Sequence, residues 1–552
     1  MRLGEACRVL ALGDPRRLLR IEVQRTASPG KPLQPSPTRP PERQHGSQCH
    51  PTQSDARKQH HRAMCIRDPM TPPTTRAVAT IDIGSGSCRG QLIDPNLNHL
   101  VRVTPRRRSG LVLGPDGAAT IDPSHLLVDV GSILDELNLV AGRQGIRITA
   151  VAICTIWHSV IGVDQDRQPT SPIITWADRR PDTAARRLRH LYDQTGIYER
   201  TGCPLQTPFL PAKLTWLRDR DPAPFARTSL WLSPGEFVLL HLIGEIATSA
   251  SMASGTGLYN YRDGVWDAEA LEISAISEEQ LSSVMDGPLG KLRAEHHHRW
   301  PQLRAALWLP AVADGAASTV GGGGCQPGDL TLTIGTSAAA RLVHEQVLQS
   351  PRNGAWRYLI GAETQMTGGA LSDGGNALEW LRQILLLPPT DQLESELDLF
   401  EGNVGPVVSP LFIGERGPRW LDGNKGAIWG LGPDTRASDI WRATMEGIAL
   451  NLTRIASTLA DMRPIERVFG TGGALQGSRY WQRILASAIN RPIMIPSVQE
   501  TSLRGAAALA WTQLGQPTPN NDYAVEVLPD GATCDRLAQN RWLQDRLCAL
   551  ET

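Results

Sequence analysis

The sequence predicts an α/β fold of two domains that flank a central cleft. The chain has 552 residues, more than one hydrophobic core normally organises. Two apolar runs, ending near Ile83 and Ile334, each lead into a turn made of glycine and hydroxyl residues. Such turns let backbone amides approach an anion closely. Two of them in one chain indicate duplicated domains that hold one nucleotide between them.

The first turn follows a strand predicted at residues 77–83 (AVATIDI). Asp82 stands at the end of this strand, where a carboxylate can hold hydrated Mg²⁺, and Arg89 can neutralise phosphate charge. No G-x-x-x-x-G-K-[ST] sequence and no helix follow, so the segment predicts a β-hairpin and not a P-loop. The residues expected to face phosphate are Ser85, Gly86, Ser87 and Arg89.

The second turn belongs to residues 308–341, around which the rest of the chain is organised. A lone carboxylate, Asp314, precedes four glycines and a strand predicted at residues 330–334. Asp314 is placed to be the base that deprotonates an attacking hydroxyl, or else it caps a helix. The residues of the turn itself, again expected to contact phosphate, are Gly335, Thr336 and Ser337.

Composition excludes several classes of protein. Lys plus Arg and Asp plus Glu number 56 each, so no global field favours nucleic acid or an anionic membrane. No apolar run approaches the ~20 residues that span a bilayer. The nine cysteines lie far apart without metal-ligand spacing, which predicts reduced thiols and a cytoplasmic protein. The sequence does not fix the oligomeric state, and a homodimer is kept as an open expectation.

Residues 1–75 differ in composition from the rest, being rich in proline, arginine, glutamine and histidine. Such a segment cannot bury enough apolar surface to offset its ordering entropy. We expect it to be disordered, or to lie outside the translated protein if translation begins at Met64 or Met70. No function is assigned to it.

Four motifs in order resemble the FGGY family of carbohydrate kinases, which belongs to the actin-like and hexokinase-like ATPases. They are the two turns, residues 426–446 (GAIWGLGPDTRASDIWRATME) and residues 469–478 (FGTGGALQGS). The resemblance covers residues 77 to about 514. It implies two ribonuclease-H-like domains, at 76–312 for the sugar and 313–552 for ATP, with ATP and Mg²⁺ as cofactors.

The resemblance also implies further site residues. Residues 151–159 (VAICTIWHS) are a predicted strand that opens into Trp157 and His158, and these two side chains would face the sugar. Asp178, in a Trp-Ala-Asp stretch, would hydrogen-bond substrate hydroxyls, or else form a buried Asp–Arg pair that holds a loop. The residues expected near the nucleotide are Gly375, Glu379, Gly472 and Gly473. Residues 410–418 (PLFIGERGP) are interpreted as scaffold of the ATP domain.

The implied reaction is ATP-dependent phosphorylation of a sugar or sugar acid at a primary hydroxyl. Gluconokinase-like members are the most similar, partly because Ser249 stands where xylulokinase-like members carry an acidic residue that would repel a carboxylate. D-Gluconate, giving 6-phosphogluconate, is therefore the first expectation, with xylulose and glycerol as alternatives. A nucleotide-binding regulator without turnover is the rival hypothesis, because Gly86 replaces a hydroxyl residue usual in the family.

Overall fold

The computed structural model describes residues 75–101, 110–345, 354–361, 363–398, 400, 405–421, 426–516 and 523–550. The extension predicted at residues 1–75 lies outside the described residues except for Thr75. Two large β-sheets, each with its own buried core, organise the described residues. None of the helices described is both long enough and apolar enough to cross a membrane. The predicted α/β class is confirmed.

The N-terminal half is built on a sheet of six described strands in the order β12-β6-β1-β2-β3, with β13 also pairing with β6. Its strands and those of the smaller sheets are β1 (Thr75–Ile83), β2 (Cys88–Ile93), β3 (His99–Val101), β4 (Leu111–Leu113), β5 (Ala119–Ile121), β6 (Ile146–Thr155), β7 (Ile161–Val163), β8 (Ile173–Ile174), β9 (Leu230–Leu232), β10 (Tyr259–Asn260), β11 (Val265–Trp266), β12 (Leu307–Trp308) and β13 (Val312–Ala313). Its helices are α1 (Pro123–Gln144), α2 (Asp182–Leu191), α3 (Gln194–Thr201), α4 (Leu210–Arg220), α5 (Pro222–Arg227), α6 (Pro234–Leu242), α7 (Ala250–Ser254), α8 (Ala268–Ser274) and α9 (Asp314–Gly321).

The predicted first hairpin is confirmed. β1 pairs antiparallel with β2, which places Asp82 opposite Arg89, and pairs parallel with β6 on its other side. Every residue of β1 from Ala77 onward is buried, because this central strand has a neighbour on each side and both faces of the sheet are covered here. Helix α1 covers this sheet with a stripe of apolar residues at helical spacing.

The C-terminal half is built on a sheet of eight described strands in the order β16-β17-β15-β14-β21-β22-β23, with β19 also pairing with β17. The strands are β14 (Asp329–Ile334), β15 (Ala338–Glu345), β16 (Trp356–Leu359), β17 (Thr364–Leu371), β18 (Val407–Ser409), β19 (Glu415–Arg416), β20 (Ala427–Trp429), β21 (Arg467–Thr471), β22 (Ile493–Pro496) and β23 (Tyr523–Val527). The helices are α10 (Gly375–Ile384), α11 (Thr390–Asp398), α12 (Ala437–Ala460), α13 (Gly473–Gln476), α14 (Arg479–Ile489), α15 (Thr501–Gln513) and α16 (Gly531–Leu550).

The second predicted hairpin is also present, since β14 and β15 are antiparallel and joined by the turn at Gly335. Residues 440–459, whose apolar residues recur at helical spacing, lie in α12. Residues 377–387 also have helix-like apolar spacing, but α10 ends at Ile384, because Leu385 is extended and two prolines follow at positions 388 and 389.

Helices α9 and α15 cross so closely that their backbones touch. A Cβ atom added at Gly321 would lie 1.9 Å from the carbonyl oxygen of Thr501, and one at Gly505 would lie 1.7 Å from that of Ala317. Helix α15 belongs to the C-terminal half of the chain, yet it also packs on β1 and β6 of the N-terminal sheet. Helix α9 begins at Asp314 and helix α15 begins at Thr501. The close crossing of the two helices therefore fixes the distance between Asp314 and the start of α15.

Candidate active site

A cleft of about 860 Å³ is lined by residues from both sheets. The glycine-containing turns that follow strands β1, β14 and β21 contribute to its wall. All but one of the residues predicted from the sequence line this cleft: Asp82, Ser85, Gly86, Ser87, Arg89, Trp157, His158, Asp314, Gly335, Thr336, Ser337, Gly375, Glu379, Gly472 and Gly473. The exception is Asp178.

The first hairpin is tied to the start of α15. Arg89 forms ion pairs with Asp82 at 2.8 Å and with Glu500 at 2.5 Å, and the hydroxyl of Ser502 donates to Asp82 at 2.7 Å. Neither Glu500 nor Ser502 was predicted, because both lie more than 400 residues from Asp82 in a segment without a glycine-rich motif. These contacts hold the hairpin of one half against a helix of the other.

The second hairpin is supported from two sides. The amide of Gly335 donates to Ser337 at 2.9 Å, and the amide of Gly375 donates to Gly335 at 2.8 Å, which joins the start of α10 to the turn. Gly472 has a φ of 95°, and a Cβ there would lie 2.4 Å from the carbonyl oxygen of Ile334. Only glycine fits at this position, so the β21 turn can approach the hairpin.

Asp314 is the first residue of α9 and lies at the middle of the cleft. The N-cap residue is Ala313, and the Asp314 carboxylate accepts hydrogen bonds from the amide of Gly315, at 2.7 Å, and from the backbone of Trp157. Burial raises the pKa of Asp314 to about 6, the charge of Asp82 acts in the same direction, and Arg341 opposes it. Asp314 is therefore not the N-cap residue of α9, although its carboxylate accepts one amide of the first turn.

Trp157 and His158 follow β6, which runs beside β1, and both side chains line the cleft. Trp157 donates its indole N–H to the carbonyl of Ser251 at 3.0 Å. Nδ1 of His158 lies 2.6 Å from the carbonyl oxygen of Gly255, so Nδ1 carries the proton and Nε2 is the acceptor. Burial lowers the pKa of His158 to about 3, so the ring is neutral at physiological pH.

The backbone of His158 is held in an uncommon conformation. Its φ is 56°, in the left-handed region that a residue with a side chain rarely adopts. The buried ammonium of Lys213 on α4 donates to the His158 carbonyl, and burial lowers the pKa of this lysine to about 7. Helix α4 thus helps to position His158.

Asp178 lies outside the cleft. It is 1% exposed, accepts from the amide of Ala119 at 3.1 Å and forms an ion pair with Arg180 at 2.6 Å. Both carboxylate oxygens are engaged in holding this loop against β5. The geometry therefore favours the second of the two interpretations, a buried Asp–Arg pair, over contact with substrate.

The sequence analysis did not predict six aromatic and cationic side chains of the cleft: Trp176, Arg341, Trp356, Tyr358, Trp380 and Arg416. Trp176 is the tryptophan of the Trp-Ala-Asp motif, in which only Asp178 was predicted to contact substrate. Arg416 belongs to the loop at residues 410–418, which the sequence analysis treated as scaffold. Pairing of β19 with β17 brings Arg416 to the cleft, and this two-residue strand has no recognisable sequence pattern.

The cleft also offers oxygen ligands. Within the described ranges, no group of three or more His, Cys, Asp or Glu side chains could hold a metal ion. The adjacent histidines His296 and His297 therefore belong to no such group. Mg²⁺ usually keeps several waters and needs only one or two carboxylates beside substrate phosphates. Asp82 and Glu500, both at the cleft wall next to the hydroxyl of Ser502, fit that requirement.

Comparison with known proteins agrees with this geometry. The profile for the N-terminal domain of the FGGY family of carbohydrate kinases matches residues 77–306, and that for the C-terminal domain matches residues 330–514. Gluconokinase from Bacillus subtilis strain 168 is 25% identical over 505 residues, covering 84% of this chain and 96% of the relative. Glycerol kinase from Cereibacter sphaeroides is 26% identical over 468 residues, covering 81% and 92%. The structure of ligand-bound xylulose kinase from Lactobacillus acidophilus has a TM-score of 0.78 at 25% identity, covering 86% and 97%.

Proposed function

Because the chain belongs to the FGGY family of carbohydrate kinases, we propose that it transfers the γ-phosphoryl group of ATP to the primary hydroxyl of a sugar acid, with D-gluconate as the substrate. The observation that carries this proposal is the position of Asp314. Its carboxylate lies in the cleft between the two glycine-containing hairpins and the Trp157–His158 pair.

Asp314 is the proposed general base. A general base works best when its pKa is near the operating pH. Burial raises the pKa of Asp314 toward that pH, and the carboxylate is still ionised at neutral pH. It takes the proton from the substrate hydroxyl as that oxygen attacks the γ-phosphorus. Asn, which lacks a proton-accepting carboxylate, cannot replace it in this role.

The hairpins form the proposed nucleotide end. Amides and hydroxyls of Ser85, Ser87, Thr336 and Ser337 line the cleft wall, where they can donate to phosphate oxygens. Arg89 contributes a positive charge, held in place by its two carboxylate partners. Gly473, where an added Cβ would meet no atom within 4 Å, leaves open backbone for the base of the nucleotide, while Gly472 packs against the hairpin.

Magnesium would be held by Asp82, with Glu500 as a second carboxylate within reach of the same phosphates. The ion, bound with ATP, neutralises charge on the phosphate oxygens during transfer. In this arrangement Arg89 keeps the Asp82 carboxylate oriented, and Ser502 donates a hydrogen bond to the same carboxylate. The role of Asp82 as a magnesium ligand remains a proposal.

The sugar end suits a polyol with apolar C–H faces and hydroxyl edges. Trp157 offers a flat apolar ring, and neutral His158 offers an acceptor at Nε2, with the Tyr358 hydroxyl 3.5 Å away. Ser249, whose hydroxyl donates to Ala311 at 2.7 Å, is the N-cap of α7 and brings no negative charge. Together with the similarity to gluconokinase, this supports an acid substrate over a neutral one.

Coupled ADP release over D-gluconate, D-xylulose and glycerol tests the proposed substrate. We expect kcat/KM to be highest with D-gluconate and background ADP release to be low without substrate. A higher kcat/KM with xylulose or glycerol would overturn the gluconate assignment and leave the family intact. Nucleotide binding without turnover on any of the three would favour the rival hypothesis of an inactive regulator.

The pH profile of kcat/KM should have an acid limb near pH 6. Asp314 must be ionised to accept a proton, and its pKa is raised to about 6 from the usual Asp value. Below that pH, kcat/KM should fall about tenfold per pH unit, since one proton inactivates the free enzyme. His158, with a pKa of about 3, does not contribute to this limb. A profile that stays flat down to pH 5 would contradict the assignment of Asp314 as the base.

A further inference from the structure

Two arginines face the cleft without a direct ion pair to a carboxylate, although the charge of Asp314 acts on both. Among the described residues, neither Arg341 nor Arg416 forms a salt bridge. Arg341 donates one hydrogen bond, to the hydroxyl of Thr333 at 3.2 Å. Arg416 lies with its guanidinium carbon 4.3 Å from the ring centre of Trp176, and its Nε is buried without a hydrogen-bond partner.

The carboxylates around Arg416 are already engaged. Asp373 accepts from the amides of Ile413 and Gly414 at 3.0 Å and 3.1 Å. Glu415, its neighbour in the chain, is bonded to Arg419 at 2.9 Å. An isolated cation removed from water is unfavourable unless an anion or hydrogen-bond acceptors compensate it. Arg416 thus has the properties of a site that is completed by an anionic ligand.

The location of Arg416 identifies which anion it would bind. Arg416 stacks on Trp176, and Ile174, two residues before Trp176, accepts a hydrogen bond from the amide of Val160 at 3.0 Å. Because Val160 is two residues after His158, Arg416 lies beside the segment that carries His158, at the sugar end of the cleft. Burial lowers the pKa of Arg416 only to about 10, so the guanidinium is charged at neutral pH.

We propose that Arg416 binds the carboxylate of the sugar acid and thereby selects acid over neutral substrates. The proposal rests on the proposed function, and names the residue that determines its substrate class. A planar guanidinium can hold a carboxylate through two parallel hydrogen bonds, and stacking on Trp176 fixes its plane. The substrate then lies with its carboxylate at Arg416 and its primary hydroxyl at Asp314.

Arg341 stands between these two ends. A Cβ added at Gly315 would lie 3.1 Å from its Nη2, so the Arg341 guanidinium is beside the helix start that carries Asp314. It is therefore closer to the reacting hydroxyl than to the proposed carboxylate position, and we assign the carboxylate to Arg416 alone.

The test compares D-gluconate with D-glucitol, which has the same carbon chain and a neutral CH₂OH in place of the carboxylate. With Arg416→Gln, we expect kcat/KM for gluconate to fall about 10- to 100-fold, mainly through KM, since a charge-assisted hydrogen bond is lost. Turnover of glucitol should be unchanged or improved. Arg416→Lys should be intermediate, because it keeps the charge and loses the two parallel bonds.

The matched control is Arg220→Gln. Arg220 also stacks on a tryptophan, with its guanidinium carbon 5.1 Å from the ring centre of Trp216, but it lies outside the cleft. This variant should turn over both substrates as the wild type does. Equal losses on gluconate and glucitol in the Arg416 variants would overturn the proposal, and would indicate that Arg416 acts on the transferring phosphoryl group or on the fold.

Calorimetric titration of gluconate without ATP separates this proposal from the proposed function. If wild type binds gluconate and Arg416→Gln or Arg416→Lys weakens that binding, the carboxylate assignment stands even where gluconate is not phosphorylated. If wild type phosphorylates gluconate and both variants bind it with unchanged Kd, the assignment fails while the proposed function stands. If wild type does not bind gluconate, the carboxylate assignment is overturned.

Discussion

Asp314→Asn is expected to lower kcat by about 10²- to 10⁴-fold, the usual contribution of a general base. Asn keeps the size and polarity of the side chain and can still accept the amide hydrogen of Gly315. It cannot take a proton from the substrate hydroxyl. Nucleotide affinity should be nearly unchanged, because the residues proposed to hold ATP lie on the two hairpins and the Gly472 turn. Steady-state kinetics and nucleotide titration on one preparation measure both quantities.

The same variant should melt no earlier than wild type at pH 7 to 8. The folded-state pKa of Asp314 is raised above its unfolded value, so folding disfavours the ionised carboxylate. This penalty develops as pH rises from the unfolded pKa to about 6 and is complete above that. A neutral Asn avoids the penalty. A lower Tm combined with normal kcat would contradict the catalytic role and would restore the capping interpretation.

Asp178→Asn is the matched control, since it makes the same chemical change at a carboxylate outside the cleft. Asp178 is buried and bonded to Arg180, so the variant loses stability by leaving a charge without its partner. Its kcat/KM per folded molecule should stay near that of wild type. Asp314→Asn is therefore expected to lower kcat without lowering Tm, whereas Asp178→Asn is expected to lower Tm without lowering kcat/KM per folded molecule.

The sequence predicted the site residues that lie at the end of a strand or in the turn directly after it. Asp82 and Arg89 lie on one hairpin, Gly335 to Ser337 lie on another, and both hairpins are found where expected. Family membership, inferred from four motifs, is confirmed by matches to both domains. Local patterns succeed here because a strand and its turn are adjacent in the chain.

The missed residues depend on pairing between distant segments. Arg341 lies within the apolar run of β15, and only its register opposite Thr331 and Gly368 decides which face it takes. Arg416 depends on a two-residue strand, and Ser502 on the docking of α15. For Asp178, the adjacent sequence was compatible with two roles, and only the position of Ala119 distinguishes them.

Helix α9 was missed for a different reason. Its sequence, DGAASTVG, is rich in residues of low helix propensity, and the sequence analysis expected a helix here only in the alternative in which Asp314 is its cap. Small residues are required there because α15 packs directly on its backbone. Tertiary packing thus overrides local propensity in the segment that carries Asp314.

This packing leads to the second large expected effect, in Gly505→Ala. The new Cβ would lie 1.7 Å from the carbonyl oxygen of Ala317 and 2.8 Å from the amide nitrogen of Gly321, both backbone atoms that no side-chain rotation can move. Overpacking of a core typically lowers the free energy of unfolding by about 1–3 kcal/mol. We expect a loss near the upper end of this range, because the added Cβ would contact backbone atoms. We expect a clearly lower Tm, measured by calorimetry.

The variant should also lose activity where it remains folded. Moving α15 away from α9 separates Ser502 and Glu500 from the hairpin at Asp82, and shifts the helix that begins at Asp314. A displacement of about 1 Å can reduce rate by about 10²-fold when reacting groups must be aligned. Gly531→Ala is the control, because Gly531 begins α16 with no atom within 4 Å of the added Cβ. That variant should keep wild-type kcat and equal or higher Tm. A Gly505→Ala protein with wild-type Tm and kcat would show that the α9–α15 contact does not set the geometry of the cleft.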